Sequence, residues 1–354
     1  MSGESSAPEV LEALVHQAEQ ARASDIHLHM TGDQTARVAF RLDGVMTHIS
    51  ELPAAVADRV FGRIKFLARL KTYQESLPQD GRIDRAEISA QHDIRVATYP
   101  TVTGEKIVLR LFQNASARSL RELGLPVDAL TELERFLQQN AGLLLLTGPA
   151  GSGKTTTIYA CLRYLAEQGG RHIITVEDPV EQIVPGVMQT EISEARGLTF
   201  AKAARHLMRQ DPQVLVIGEI RDDETAGIAV RAALTGHLVI ATLHAGSCRG
   251  VMERLLVMCP DRFAVVSVVG MILNQRLVRR LCATCQGKGC ADCLQTGYRG
   301  CVPVMEWSRV DDSLRERLRR EGPPALAPAH TLAVAARTLV EQGITDEAEI
   351  RRAM

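Results

Sequence analysis

The chain has 354 residues, of which 45% are hydrophobic, and this length suffices for two globular domains that each bury a core. Its 41 basic and 42 acidic residues leave a formal charge of -1, which excludes a bulk attraction to nucleic acid or to an anionic membrane. The start, MSGESSAPEV, lacks the basic and apolar regions of a signal peptide, and no apolar stretch approaches the roughly 20 residues that span a bilayer. The sequence therefore predicts a cytoplasmic protein that is peripheral to a membrane only through partners.

The first part of the chain combines helical and strand-like patterns. Apolar residues recur at helical spacing over two segments, 9–22 and 54–71. Strand-like patterns occur in four segments, 25–30, 36–42, 81–88 and 94–112, and Asp43-Gly44 is typical of a hairpin turn. We interpret residues 1–114 as an α+β domain and residues 115–140 as a linker that contains a short helix, 127–139.

From Gly142 onward, short apolar strands alternate with helices. The predicted strands are LLLLT, HIITVE, VLVIGE and LVIATL, at 143–147, 172–177, 214–219 and 238–243. Continuous apolar runs of this kind are typical of a parallel sheet covered by helices on both faces. The sequence therefore predicts an α/β fold. Its second domain, 141–354, contains a mostly parallel sheet and has a charged helical segment at its C-terminus.

A phosphate-binding pattern follows the first of these strands. The segment GPAGSGKT, at 148–155, matches the P-loop, and a helix is predicted directly after it, at 156–168. Glycines let several backbone N–H groups face one anion, and the start of the helix adds partial positive charge. We expect Lys154 to contact the β- and γ-phosphates of ATP and the Thr155 hydroxyl to ligate Mg²⁺. The other residues expected to contact the nucleotide are Gly148, Gly151, Ser152, Gly153 and Thr156.

Polar residues also follow the next three strands of the predicted sheet. Glu177 and Asp178 follow the second strand, Glu219 ends the third, and His244 follows the fourth. Ligands of parallel sheets bind at the C-terminal ends of the strands, so we expect these side chains to converge on the nucleotide. Hydrolysis requires a group that orients water and a group that holds the metal, and this set offers both.

These motifs resemble those of the cytoplasmic ATPases that drive type II secretion and type IV pilus assembly. Three segments are similar to the family's aspartate box, Walker B segment and histidine box, namely ITVEDPVE at 174–181, VLVIGEIRD at 214–222 and TGHLVIATLHA at 235–245. The resemblance runs from about Ser24 to the C-terminus. It implies a RecA-like ATPase domain preceded by a smaller, PAS-like α+β domain.

The resemblance also implies roles for individual residues. It assigns Glu177 to positioning or activating the attacking water and Glu219 to holding Mg²⁺, directly or through water. His237 and His244 would sense the γ-phosphate, and Asp178 would belong to the nucleotide site. The division of roles between the two glutamates comes from the family and not from their spacing.

Three arginines of the first domain are further candidates. If the turn at 102–103 is symmetric, Arg95 and Arg110 face each other across a hairpin, where like charges destabilise unless an anion lies nearby. The resemblance implies that these two arginines reach the phosphates as arginine fingers, with Arg82, in LPQDGRI, as a third candidate. An arginine finger stabilises charge on the phosphoryl group as it is transferred.

Four of the eight cysteines form two CxxC pairs, Cys282 with Cys285 and Cys290 with Cys293. Four thiolates at this spacing can complete a tetrahedral site, of which zinc is the commonest occupant, and such a closed site is structural. The alternative is a set of free or redox-active thiols. The pairs resemble the assembly-type branch of the family, since retraction-type members generally lack them. Cys301 stands where the family usually has arginine and is an alternative ligand.

The leading hypothesis is an ATPase motor that powers assembly of a pilus or pseudopilus through an inner-membrane platform protein. The resemblance implies a homo-hexamer at the cytoplasmic face of the inner membrane, with ATP, Mg²⁺ and Zn²⁺ bound. The alternatives are a nucleotide-binding regulator without turnover, a competence- or retraction-type motor, and a nucleic-acid translocase, which the near-neutral charge disfavours. Longer family members carry an N-terminal docking domain, which we expect to be absent because the motif ASDIHLH begins at residue 23.

Overall fold

A computed structural model of the protein describes residues 6–111 and 118–354. The described residues divide into two compact units, of which the first contains 6–111 and 279–300, and the second contains 118–278 and 301–354. The predicted boundary between the first domain and the linker, at 114 and 115, lies outside the described residues. The predicted zinc segment, 282–293, was expected in the second domain, but it packs with the first unit.

The first unit is a six-stranded antiparallel sheet with two helices. In spatial order, its strands are β3 (Val45–Leu52), β2 (Ala36–Leu42), β1 (Asp25–Met30), β6 (Gly104–Leu111), β5 (Ile94–Thr101) and β4 (Gln79–Ile83). Its helices are α1 (Ala7–Gln20) and α2 (Ala54–Leu67). Strands β1 and β2 have the predicted bounds, whereas β3 was not predicted because its polar residues hide the alternation.

Local sequence explains several of these elements. Helix α1 begins after Ser6, whose N–H donates to the Glu9 carboxylate at 2.9 Å, and this reciprocal cap satisfies groups that the first turn leaves unpaired. The turn between β2 and β3 has positive φ at both Asp43 (49°) and Gly44 (81°), as a tight hairpin with right-handed twist requires. In β5, alternate residues are buried, so Arg95 projects from the face opposite the core.

The second unit is built on a seven-stranded sheet with helices on both faces. In spatial order, its strands are β13 (Tyr298–Arg309), β12 (Val269–Leu281), β7 (Gly142–Thr147), β11 (Leu238–Thr242), β10 (Val214–Ile217), β8 (Ile173–Glu177) and β9 (Val187–Glu191). The helices are α3 (Val127–Leu137), α4 (Lys154–Gln168), α5 (Phe200–Leu207), α6 (Asp223–Leu234), α7 (Cys248–Met258), α8 (Arg262–Val268), α9 (Asp312–Glu321), α10 (Leu332–Glu341) and α11 (Glu347–Ala353). The six strands from β12 to β9 pair in parallel.

Each face of this sheet has its own hydrophobic core. In β7, Leu143 and Leu145 belong to one core cluster, and Leu144 and Leu146 belong to the other. This alternation confirms the prediction of a mostly parallel sheet covered on both sides. Strands β9, β12 and β13 were not predicted. None of the helices in the described parts of the chain is both long and apolar enough to cross a membrane.

The first unit contains a buried ion pair that ties α2 to the hairpin of β5 and β6. The Lys65 ammonium lies 2.7 Å from the Glu105 carboxylate, and the two side chains are only 2% and 5% exposed. Lys65 also donates to the carbonyls of Thr72 and Gln74, at 3.5 and 3.4 Å, in the segment that leads to β4.

We expect Lys65→Met to destabilise the first unit by about 3–5 kcal/mol, because it leaves the Glu105 carboxylate buried without its partner. Hydrogen exchange of the β6 amides measures the effect locally, as a loss of protection. Lys71→Met, at an exposed lysine, is the matched control. The double variant Lys65→Met/Glu105→Leu should recover most of the loss; unchanged β6 protection in the single variant would contradict the assignment.

Candidate active site

The loop between β7 and α4 has a backbone that only glycine permits at two positions. Gly148 has φ of 140°, and a Cβ added there would lie 2.2 Å from the carbonyl oxygen of Gln275. Gly153, the N-cap of α4, has φ of 87°. A side chain at either position would therefore strain the loop or displace β12, so the glycines of the motif are a requirement of its packing.

Gln275 of β12 holds this phosphate loop in place. Its side chain is buried, its Nε2 donates to the Ser152 carbonyl at 2.8 Å, and its Oε1 accepts from the Thr157 hydroxyl at 2.9 Å. Sequence reasoning missed Gln275, because nothing local in the sequence indicates that β12 lies beside β7. The pairing of Asn274 with Thr147 across these strands brings it there.

Lys154 and the two threonines after it form the first turn of α4. The Lys154 ammonium donates to the carbonyls of Gly148 and Pro149, at 2.8 and 2.9 Å, so it lies over the loop. Burial lowers the pKa of Lys154, and the negative charge of Glu219 acts in the opposite direction. The exposed Thr155 and the helix N-terminus complete a cradle that fits a phosphate chain with its magnesium ion.

Three strand ends bring acidic and basic side chains together next to this loop. The Glu219 carboxylate, after β10, accepts from Arg221 Nε at 2.7 Å and lies 2.9 Å from Nε2 of His244, after β11. Arg221 also lies 3.3 Å from the carboxylate of Asp178, directly after β8. Glu219 raises the pKa of Arg221 through its hydrogen bond and charge, with a smaller contribution from Asp178. Among the predicted site residues, the structure thus brings Asp178, Glu219 and His244 together.

Arg221 was not predicted as a site residue. It follows Glu219 by two positions in VLVIGEIRD, so the signal was present in the motif. Its guanidinium lies 5.4 Å from the centroid of the Phe200 ring, at the start of α5. This contact and the two carboxylates fix an arginine between two strand ends.

Glu177 is the last residue of β8, and its carboxylate is buried, with 7% of the residue exposed. One oxygen, Oε2, accepts from the hydroxyl of Tyr159, on α4. The other, Oε1, accepts from the Thr175 hydroxyl and from Gln189 Nε2, the latter at 3.0 Å. The structure therefore surrounds this predicted catalytic group with three neutral donors.

His237 lies apart from the other predicted site residues of the second unit. It precedes β11, so it lies at the opposite end of the sheet from the phosphate loop, about 16 Å away for a strand of this length. Its carbonyl accepts from the N–H of Gly142 at 3.1 Å, and its Nδ1 lies 2.9 Å from the Ala232 carbonyl. The physical reason is that parallel strands place their starts and ends at opposite edges, and His237 comes at a start.

In the first unit, the predicted register of Arg95 and Arg110 is confirmed. Arg95 lies opposite Arg110 across β5 and β6, and Arg82 lies opposite Arg95 across β4 and β5. The Asp25 carboxylate, on β1, lies 2.9 Å from Arg110 and 3.3 Å from Arg41. Burial of Asp25 is outweighed by the hydrogen bonds from Arg110 and Ser24, so its pKa is lowered. Arg82 pairs with Asp93.

The four cysteines of the CxxC pairs form one compact group. Their sulfur atoms all lie within 4.8 Å of one another. The distances Cys282–Cys290, Cys285–Cys293 and Cys290–Cys293 are 3.9, 3.8 and 3.8 Å. A tetrahedral site with Zn–S bonds of about 2.3 Å requires sulfur separations of about 3.8 Å, so these residues fit a zinc ion. Among the described residues, the group that meets this spacing does not include Cys301.

Backbone donors favour the thiolate form of Cys293, whereas burial raises the pKa of Cys290 to about 11. The Cys293 sulfur accepts N–H bonds from Cys290 and Gly297, both at 3.3 Å. Burial opposes ionisation, but these bonds outweigh it and lower the pKa of Cys293 to about 7. The segment is anchored in the first unit, where the Gly300 N–H donates to Asp43 at 2.7 Å and Leu294 packs against the core.

Comparison with known proteins extends over nearly the whole chain. Residues 1–352 match the family described as Type II/IV secretion system protein. The chain is 42% identical over 322 residues to the Pseudomonas aeruginosa type II secretion system protein HxcR, covering 88% of this chain and 68% of that protein. It is 36% identical over 386 residues to the Vibrio cholerae type II secretion system ATPase E, covering 99% and 76%.

Solved structures support the same fold. The Legionella pneumophila ATPase DotB superimposes with a TM-score of 0.76 at 21% identity, over 99% of this chain and 96% of that one. The pilus retraction motor PilT, solved with bound ADP, gives a TM-score of 0.67 at 26% identity, over 96% and 95%. From the family match and the extent of these similarities, the chain belongs to the type II/IV secretion system protein family and is a homologue of the type II secretion ATPases.

Proposed function

We propose that this protein hydrolyses ATP to drive assembly of a pilus or pseudopilus through an inner-membrane platform protein. The observation that carries the proposal is the cluster of Asp178, Glu219 and His244 at three strand ends, next to a phosphate loop with Lys154. The relatives named as type II secretion proteins support the biological process.

In this mechanism, Lys154 and the loop N–H groups hold the phosphates. Thr155 and Glu219 would hold Mg²⁺, which would supply positive charge to the phosphates. Glu177 orients water and accepts its proton as the water oxygen bonds to the γ-phosphorus and the bond to ADP breaks. His244 and Arg221 share Glu219 and respond to changes at its carboxylate. Arg95 and Arg110 act as arginine fingers, and Arg82 is a third candidate for this role.

We further propose that the active form is a homo-hexamer at the cytoplasmic face of the inner membrane. Four cysteines, Cys282, Cys285, Cys290 and Cys293, hold one structural zinc ion, for which their sulfur spacing is suited. No nucleic acid takes part, in keeping with the near-neutral charge.

Glu219→Gln should lower steady-state phosphate release by about a hundredfold or more, because the amide loses the charge that holds the metal. Nucleotide binding should persist. The matched control is Glu253→Gln, which changes an exposed glutamate paired with Arg249 on α7. If the unaltered protein binds ATP but releases no phosphate, the chain is a regulator and the proposed enzymatic function is wrong.

Arg95→Gln and Arg110→Gln should each lower kcat by about a thousandfold with little change in nucleotide affinity, since an arginine finger acts mainly on the transition state. Arg59→Gln, at an exposed helix arginine, is the control. Single-turnover hydrolysis and equilibrium binding of a fluorescent nucleotide separate the two effects. Wild-type rates in both variants would exclude the finger role.

Protein purified without chelator should contain about one zinc per chain, measured by plasma mass spectrometry. Cys285→Ser should lower the content to below about half an equivalent, because three thiolates hold zinc less tightly. Cys301→Ser should retain a full equivalent. Loss of zinc in the Cys301 variant would instead make this residue a ligand, and four titratable thiols in the unaltered protein would exclude the metal.

A further inference from the structure

The Tyr159 hydroxyl joins three parts of the second unit. Tyr159 lies on α4, about one and a half turns after Lys154, where the helix begins, and only 4% of it is exposed. Its hydroxyl donates to Glu177 Oε2 and accepts from the backbone N–H groups of Glu181 and Gln182, at 3.0 and 3.1 Å. One oxygen atom thus connects the nucleotide-binding helix, the end of β8 and the segment that follows it.

The acceptor capacity of the Glu177 carboxylate shows why this contact matters. An ionised carboxylate offers about four acceptor sites, two on each oxygen. The Thr175 hydroxyl and Gln189 Nε2 occupy both sites on Oε1. Tyr159 occupies one site on Oε2, so the site that no donor in the described part of the chain occupies lies on this oxygen.

Gln189 also connects Glu177 to the segment that follows β8. Its Nε2 also donates to the Gln182 carbonyl at 2.9 Å, and its Oε1 accepts from the N–H of Val184 at 2.7 Å. The segment from 181 to 184 is therefore bound through Tyr159 and Gln189, the same two side chains that contact Glu177. The orientation of the carboxylate and the position of this segment are coupled.

We propose that Tyr159 is a positioning residue for hydrolysis, which fixes Glu177 so that Oε2 presents its one open acceptor site to the attacking water. This inference rests on the proposed role of Glu177 as the group that accepts the water proton. Tyr159 keeps its own proton throughout, since burial and the neighbouring carboxylate both raise its pKa above the ordinary value. Movement of α4 is thereby transmitted to Glu177 through one hydrogen bond.

The test compares Tyr159→Phe with Tyr164→Phe in the full chain. Tyr164 lies on the same helix, and within the described residues its hydroxyl accepts a bond from exposed Gln138, at 3.2 Å. We expect Tyr159→Phe to lower kcat by about 10- to 100-fold, to change KM for ATP by less than about twofold, and to speed amide exchange at 181 and 182. Tyr164→Phe should leave all three unchanged.

A double-variant cycle separates positioning from general stability. In the Glu177→Gln background, adding Tyr159→Phe should lower the residual kcat by less than about twofold, because the hydroxyl acts through Glu177. Independent, multiplying effects would overturn the proposal, as would an unchanged kcat in Tyr159→Phe. An unchanged kcat in Glu177→Gln alone would instead overturn the proposed role of Glu177.

A second replacement preserves the shape of the side chain, should the phenylalanine variant fail to fold. We expect 3-fluorotyrosine at 159 to lower kcat by at least about twofold, because a more acidic hydroxyl withdraws electron density from Oε2. The same replacement at 164 is the control. Equal kcat for the two fluorinated proteins would overturn the proposal.

Discussion

The parallel pairing of β12, β7, β11, β10 and β8 is the constraint on which the site depends. Parallel pairing brings the C-terminal ends of these strands to one edge of the sheet. Glu177 ends β8 at this edge, and Glu219 and His244 follow β10 and β11. The same pairing places Gln275 against the phosphate loop, so loop geometry is set by a strand distant in sequence. Packing in the two apolar cores holds the strands in this register, and it therefore fixes the positions of the side chains at the strand ends.

Within the site, Glu219 is the shared acceptor. Arg221 and His244 each contact one of its oxygens, so a metal ion that binds this carboxylate must compete with both. Under the proposed mechanism, a metal ion at Glu219 would also affect Arg221, which lies 3.3 Å from the Asp178 carboxylate, and His244, which follows β11. Glu177, in contrast, contacts neutral donors, which leaves the two glutamates electrostatically distinct.

Sequence predicted the parts of the molecule in which local pattern and tertiary environment agree. The apolar runs of β7, β8, β10 and β11, the glycines of the loop and the Arg95–Arg110 register were all correct, because a buried parallel strand or a symmetric hairpin leaves a direct signature. Gln275 and Tyr159 could not be predicted as site residues, since their contacts exist only after distant elements pack. His237 was misplaced relative to the loop because a motif records spacing along the chain but not which edge of the sheet a residue occupies.

The cysteine segment makes the first unit discontinuous along the chain, which returns to this unit at 279 and leaves it after 300. The N–H of Gly300 and the side chain of Leu294 take their partners from residues near the beginning of the sequence. An ATPase fragment that starts after residue 117 would retain the four cysteines and Leu294 but would lack the hydrophobic core against which Leu294 packs. Any division of this protein into separately expressed halves must therefore remove residues 279–300 along with the leading domain, or replace them with a short turn between β12 and β13.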